Sequence, residues 1–217
     1  LRAAGQWRHP EPVIEGDGES PPLGWIDARS NDYLGLGRGA LVARETETGG
    51  SLGAGASRLI SGTHSEHLEL ERTLADWLQF EASLVFSSGY AANLGAVSAL
   101  AGPGESIISD GLNHASIIDG CRLSRANVVV LPHRDLGALE RALANSQGVR
   151  WVVTESYFSM DGDSPDLRRI RRLCDEANAA LVVDEAHALG VFGPEGRGFC
   201  AQVGVTPTML GVHPSIP

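Results

Sequence analysis

Leu181-Val182-Val183-Asp184-Glu185-Ala186-His187 runs three apolar β-formers into two carboxylates and, three residues past the first acid, an imidazole. A short apolar run that stops at acids reads as a buried strand delivering charge to its C-terminal end. In open α/β sheets that end is where ligands bind. Taken alone, a strand followed by a solvated turn is the simpler reading, and the surrounding sequence decides between the two.

Working back from this run, 166–178 has the apolar spacing of a helix and Trp151-Val152-Val153 reads as a strand. Further upstream come a helix over 135–144, a strand over 128–131, a helix over 115–123 and the strand Ile107-Ile108. A helix of small residues over 91–100 follows a strand-like Leu84-Val85-Phe86. Leu68, Glu71, Leu74, Ala75 and Leu78 hold 3.6 spacing with one polar lapse, so a helix follows Gly62, with Thr63 or Ser65 as its cap. Strands alternating with helices at this rhythm predict an α/β fold, a mainly parallel sheet with flanking helices. Residues 1–30 carry Pro10, Pro12, Pro21 and Pro22 and read as an arm over the surface, and the five glycines of 49–62 read as a loop.

With 217 residues, 42% of them hydrophobic, the chain has the makings of one α/β domain, or of one and part of another. The formal net charge of -10 argues against nucleic-acid and anionic-membrane partners, both of which need clustered basic groups. No apolar run approaches the roughly 20 residues of a membrane span, and the N-terminus lacks the pattern of a secretory signal, so a cytoplasmic location is expected. Cys121, Cys174 and Cys200 are odd in number and widely spaced, which fits idle thiols better than disulfides or zinc. His64 and His67 share a helix face, but further metal ligands are not legible, and no metal site is expected. All 17 basic residues are arginine. An internal Schiff base and a Walker A loop both need lysine and are therefore closed to this polypeptide.

Four polar clusters end at the strands. Ser87-Ser88-Gly89-Tyr90-Ala91-Ala92-Asn93 turns from a strand into a helix, whose free N–H groups suit an anion or phosphate. Asp110-Gly111-Leu112-Asn113-His114 places an imidazole at the entry of the next helix, where it can stack on a planar ligand or move protons. Thr154-Glu155-Ser156-Tyr157-Phe158-Ser159-Met160-Asp161-Gly162-Asp163 follows a third strand, and Asp184 to His187 a fourth. Singly each has a local explanation; together they predict one cleft at the C-terminal edge of the sheet. Read literally, Asp184-Glu185-Ala186-His187 is the box of a nucleic-acid-dependent NTPase, but the P-loop that such a protein requires is missing and the charge is acidic.

With those clusters in view, the chain resembles the α-oxoamine synthases, fold-type-I pyridoxal-phosphate enzymes. The matching runs are Asn31-Asp32-Tyr33-Leu34-Gly35-Leu36, Ser61-Gly62-Thr63, Ser88 to Asn93, Asn113-His114-Ala115-Ser116, Phe158 to Asp163, Val183 to His187 and Gly196-Arg197-Gly198. They occur in family order from about residue 25 to 205. The resemblance implies pyridoxal 5'-phosphate as cofactor, with Gly89 and Tyr90 at its phosphate and His114 stacked on its ring. It places Ser159 and His187 at the ring substituents and Asp184 on the pyridinium nitrogen. Such a carboxylate keeps the nitrogen protonated, so the ring can absorb carbanion electrons. Asn31 and His114 would also meet substrate, and Arg8 aligns loosely with the family's N-terminal substrate arginine.

The family joins an amino acid to an acyl thioester with loss of CO₂. Here the resemblance points to L-alanine and pimeloyl-CoA or its carrier-protein thioester, the biotin-pathway branch. A glycine-and-acetyl-CoA branch is the alternative, and the family's dimers place the site at the subunit interface. One departure stands out. The Schiff-base lysine expected a few residues beyond Val205 is missing, and Thr206 to Pro217 holds three prolines, poor material for a central strand. The chain also opens at Leu1 rather than Met. The expectation is an incomplete large domain over 31–205, a divergent tail over 206–217, no C-terminal small domain and no turnover. A non-catalytic, lysine-less partner subunit is the rival reading.

Overall fold

A computed structural model of the chain describes residues 56–206 and the backbone of 209–211. The arm over 1–30, Asn31 and Arg8, and the glycine-rich loop before residue 56 lie outside the described residues.

Five parallel strands form one sheet: β1 (Ser106–Asp110), β2 (Asn127–Leu131), β3 (Arg150–Glu155), β4 (Ala180–Asp184) and β5 (Met209–Gly211), in the order β2-β1-β3-β4-β5. Around them stand α1 (Ser65–Leu78), α2 (Gly89–Leu100), α3 (Ala115–Ser124), α4 (Leu136–Asn145), α5 (Leu167–Ala177) and α6 (Gly198–Val203). The expected mainly parallel sheet with flanking helices is what forms.

Side chains on neighbouring strand positions point to opposite faces. Ile107, Val153 and Val182 pack against α2 and α3 through Val97, Ala101, Ile117 and Cys121. Ile108, Val152, Leu181 and Val183 pack against α4 and α5 through Leu139, Leu143, Ile170 and Leu173. Both faces are covered, which is why these strands are apolar at consecutive positions.

The chain leaves β1 for β2 on one side through α3, then returns across β1 to β3 through α4. Crossovers of one hand that run in opposite directions must use opposite faces of the sheet, and α3 and α4 do. The reversal opens a crevice between the C-terminal ends of β1 and β3. Helix α2 lies close on α3, where a Cβ at Gly120 would come within 3.0 Å of the Asn93 carbonyl oxygen and the Val97 Cβ.

Three expectations need correction. Helix α1 is capped at His64, not at Thr63 or Ser65: the His64 N–H donates to Nδ1 of His67 at 3.1 Å, while Thr63 Oγ1 donates to the Arg58 carbonyl at 2.8 Å. Leu84-Val85-Phe86 is not a strand. An ion pair satisfies its backbone instead, with Val85 N donating to Glu71 Oε1 at 2.9 Å and Arg58 Nη1 to the Val85 carbonyl at 3.3 Å; Arg58 and Glu71 themselves meet at 2.5 Å. The proline-rich tail does supply a strand. Met209 to Gly211 fits between Pro207 and Pro214, so no proline interrupts its pairing with Val182 to Asp184.

Candidate functional site

The site is built at the β1–β3 crevice, a topological switch point where open α/β sheets bind ligands. Strand β4 ends on Asp184, a 5%-exposed carboxylate. Its Oδ2 accepts from Asn93 Nδ2 at 2.7 Å, and its Oδ1 accepts from the Ala186 N–H at 2.9 Å. Both donors are neutral amides that fix the carboxylate without neutralising it.

Asn93 lies one turn into α2, which begins at the buried Gly89 and exposed Tyr90 after the Ser88 cap. Its Nδ2 also donates to Ser116 Oγ at 3.0 Å, and that hydroxyl lies 2.7 Å from Nδ1 of His114. The Ser116 backbone N–H donates to the same Nδ1 at 3.2 Å. An N–H can only donate, so Nδ1 is the acceptor, the Ser116 hydroxyl points at it and the imidazole proton sits on Nε2. His114 is thus the N-cap of α3 and the far end of a chain His114–Ser116–Asn93–Asp184. Tyr90 approaches its ring edge-on, with centroids 6.4 Å apart, and donates its hydroxyl to Asp119.

Glu155 ends β3 beside Asp184 and crosses the crevice, accepting the His114 N–H on Oε1 at 2.6 Å. Burial first, and the neighbouring Asp184 charge second, push its carboxyl up to about 7, although backbone N–H groups of His114 and Ser159 act in the other direction. Ser159 itself is exposed in the turn after β3. His187 is half-buried in the turn after β4.

Asp184 and Glu185, adjacent in sequence, have separate tasks. Glu185 is fully buried and caps the first turn of α6, accepting the Cys200 N–H on Oε1 at 2.8 Å. Gly198 lies so close that a Cβ there would fall 1.6 Å from Glu185 Oε2, and burial raises the Glu185 carboxyl above its ordinary range. Asp184 thus meets the Asn93 amide, while Glu185 serves the start of α6.

The clusters at 87–93, 110–116 and 154–163 and the end of β4 do meet, but the first arrives by α2 rather than by a strand. Sequence reasoning quoted Asn93, Ser116 and Glu155 within motifs without giving them a task. An acid closing a strand is a legible signal for Glu155, as it was for Asp184; nothing local marks Asn93 or Ser116. Among the described residues no group of histidine, cysteine and acid side chains could hold a metal, and no helix is long and apolar enough to cross a membrane.

A family model described as aminotransferase class I and II matches residues 24–212. Among curated proteins, 8-amino-7-oxononanoate synthase of Mycolicibacterium smegmatis is 50% identical over 192 residues, 85% of this chain and 50% of that one. The enzyme of the same name from Marinobacter nauticus is 44% identical over 93% of this chain and 52% of its own length. Among solved structures, serine palmitoyltransferase of Sphingomonas wittichii superposes with a TM-score of 0.68 at 39% identity, over 70% of this chain and 39% of that chain. The 8-amino-7-oxononanoate synthase of Francisella tularensis gives 0.57 at 32% identity, over 66% and 41%. The chain spans about half the length of the curated relatives it matches. By sequence and by fold, the chain belongs to the aminotransferase class I and II family.

Proposed function

We propose that the chain forms part of the pyridoxal-phosphate pocket of a decarboxylative C-acyltransferase joining L-alanine to pimeloyl-CoA or pimeloyl carrier protein. The observation that carries this reading is the hydrogen-bonded chain from His114 to Asp184 across the switch-point crevice. The donor set fits the cofactor. Asp184 is a buried anion oriented by two neutral amides, suited to a pyridinium N–H. The start of α2 at Gly89 and Tyr90 offers helix N–H groups to a phosphate.

When bound, pyridoxal phosphate supplies a protonated ring that accepts the electron pair left at the amino-acid Cα as CO₂ departs. In this reading Asp184 holds the ring proton, while Asn93 and Ala186 hold Asp184. His114, fixed as the Nε2–H tautomer, covers the ring, and Ser159 and His187 serve its substituents. Arg8 and Asn31 would contact substrate. Residues 31–205 then belong to the large domain, preceded by the 1–30 arm and followed by the 206–217 tail, in a cytoplasmic homodimer.

No lysine is present in the sequence, so the amine that would hold the cofactor covalently is not among these residues. The chain alone is expected to bind pyridoxal phosphate reversibly and to release no CoA from pimeloyl-CoA and L-alanine. Equilibrium dialysis of wild type against Asp184→Ala tests the pocket: a loss of at least about tenfold in affinity is expected from removing a charged hydrogen-bond partner. Equal binding by the two chains overturns the reading of the pocket, and CoA release above background overturns the expectation of no turnover.

A second reading takes another amino acid. It is favoured by the serine palmitoyltransferase match, which exceeds that of the solved 8-amino-7-oxononanoate synthase in TM-score and identity. Alanine stays first because the curated relatives, at 44–50% identity, carry the oxononanoate name. Binding of alanine, glycine and serine to the cofactor-loaded chain, compared by calorimetry, ranks the three.

A further inference from the structure

His133 stands just past β2, outside every motif considered so far, with both ring nitrogens on carboxylates from other elements. Nδ1 lies 2.9 Å from Asp110 Oδ1, at the end of β1. Nε2 lies 3.2 Å from each oxygen of Asp163, in the loop after β3. A neutral imidazole has one N–H and would leave one carboxylate facing a lone pair. Only the imidazolium donates to both. The ring is also packed edge-on against Phe158, centroids 4.5 Å apart, on the same loop as Asp163.

Each of the two acids lies in a segment that bears a candidate site residue. Asp110 Oδ1 also accepts the Leu112 N–H at 2.8 Å and its Oδ2 the Arg134 N–H at 2.9 Å, which fixes the turn leading to Asn113 and His114. The Asp163 carbonyl accepts the Phe158 N–H at 2.8 Å, closing the loop that carries Ser159. We propose that His133, as an imidazolium, is a positioning residue that ties the His114 turn to the Ser159 loop and breaks that tie at one end when it loses its proton.

The surrounding charges suit this task. Asp110 faces the ring from β1 and Asp163 from the β3–α5 loop. Arg134, next to it in sequence, pairs with Asp163 as well. Asp135, on the other side of Arg134, is engaged with the Ala138 N–H at 2.8 Å as the cap of α4. Burial opposes the charged ring, but the hydrogen bonds and charges of Asp110 and Asp163 outweigh it and raise its titration above the ordinary histidine value. The clamp is therefore whole below the ordinary histidine range and lost as pH rises through the raised folded value.

The idea rests on the proposed function only for what the loops do; its test needs no cofactor, so the two can fail separately. In the 217-residue chain, nitrogen-detected NMR of the imidazole follows the ring, with His133→Gln supplying the assignment. Amide exchange, corrected for its intrinsic pH dependence, follows 110–114 and 158–163. In wild type the ring titrates above the ordinary value, and both segments lose protection together across that titration. In His133→Gln protection is already low and flat with pH. Should that variant not fold, Asp163→Asn removes one half of the clamp and moves the ring's titration down towards the ordinary value. A ring that titrates at or below that value in wild type overturns the proposal, as does protection that ignores the titration or an unmoved titration in Asp163→Asn.

Discussion

Glu155 and Asp184 are register partners at the ends of adjacent parallel strands, so two buried carboxyls share one edge of the sheet. They are not equivalent. Asp184 accepts from two amide donors, whereas Glu155 is pushed up to about 7 by burial and by its neighbour.

The first prediction concerns stability against pH. A folded-state value raised above the unfolded one means a contribution fully present below about 4.5 and lost as pH rises through about 7. Denaturation midpoints should therefore fall between pH 5 and pH 8, with Glu155 responsible for on the order of 3 kcal/mol. Glu155→Gln should flatten that part of the profile. Urea titrations at several pH values measure it, and an unchanged slope in the variant refutes the assignment.

The second concerns Asn93. Replacing it with alanine removes a donor from a buried charge and another from Ser116. A loss of about 2–3 kcal/mol is expected, larger than for a neutral hydrogen bond. Pyridoxal-phosphate affinity should fall in parallel, because a carboxylate left unheld no longer presents one orientation. Chemical denaturation and dialysis on the same preparation check both; a variant as stable as wild type would falsify the claim that Asn93 holds Asp184.

The third compares two glycines. Gly198 has φ +91° and stands where a Cβ would overlap Glu185 Oε2, while Gly204 has φ +66° and open space around it. Gly198→Ala should cost about 3 kcal/mol or more, through overlap and backbone strain together. Gly204→Ala should cost only the left-handed penalty, about 1 kcal/mol. Thermal shifts of the two variants side by side settle the order.

The fourth concerns the thiols. Cys121, Cys174 and Cys200 are all buried and free. Burial pushes Cys121 up to about 11 and Cys174 up to about 12, and raises Cys200 as well. Native chain should react with a disulfide reagent at pH 8 far more slowly than denatured chain, which should titrate three thiols. Fast labelling of any one under native conditions contradicts its burial.

Much of the architecture was legible because it is written locally. Apolar runs of two to four residues at 107–108, 128–131, 151–153 and 181–183 became β1 to β4, and Asp135 and Asp166 cap α4 and α5 as short-range chemistry requires. The misreadings have a physical origin too. Leu84 to Phe86 has strand-like composition, but its backbone is taken by Arg58 and Glu71, a competition that no local pattern encodes.

By itself, the sequence determined that this is an α/β chain with acids at strand ends and no lysine. It also held the family's motifs in order. Those features depend on residue type and short spacing, which a linear chain displays openly. Only the tertiary structure decided which acid serves the crevice. Asp184 meets an amide from Asn93, 91 residues away, and Glu185 turns to α6. It also decided that Glu155 sits where its charge is disfavoured and that His133 stands between two carboxylates. Such relations follow from strand register and from the reversal of the chain between β1 and β3. These bring distant residues within hydrogen-bond reach and out of water, and neither effect exists until the sheet is assembled.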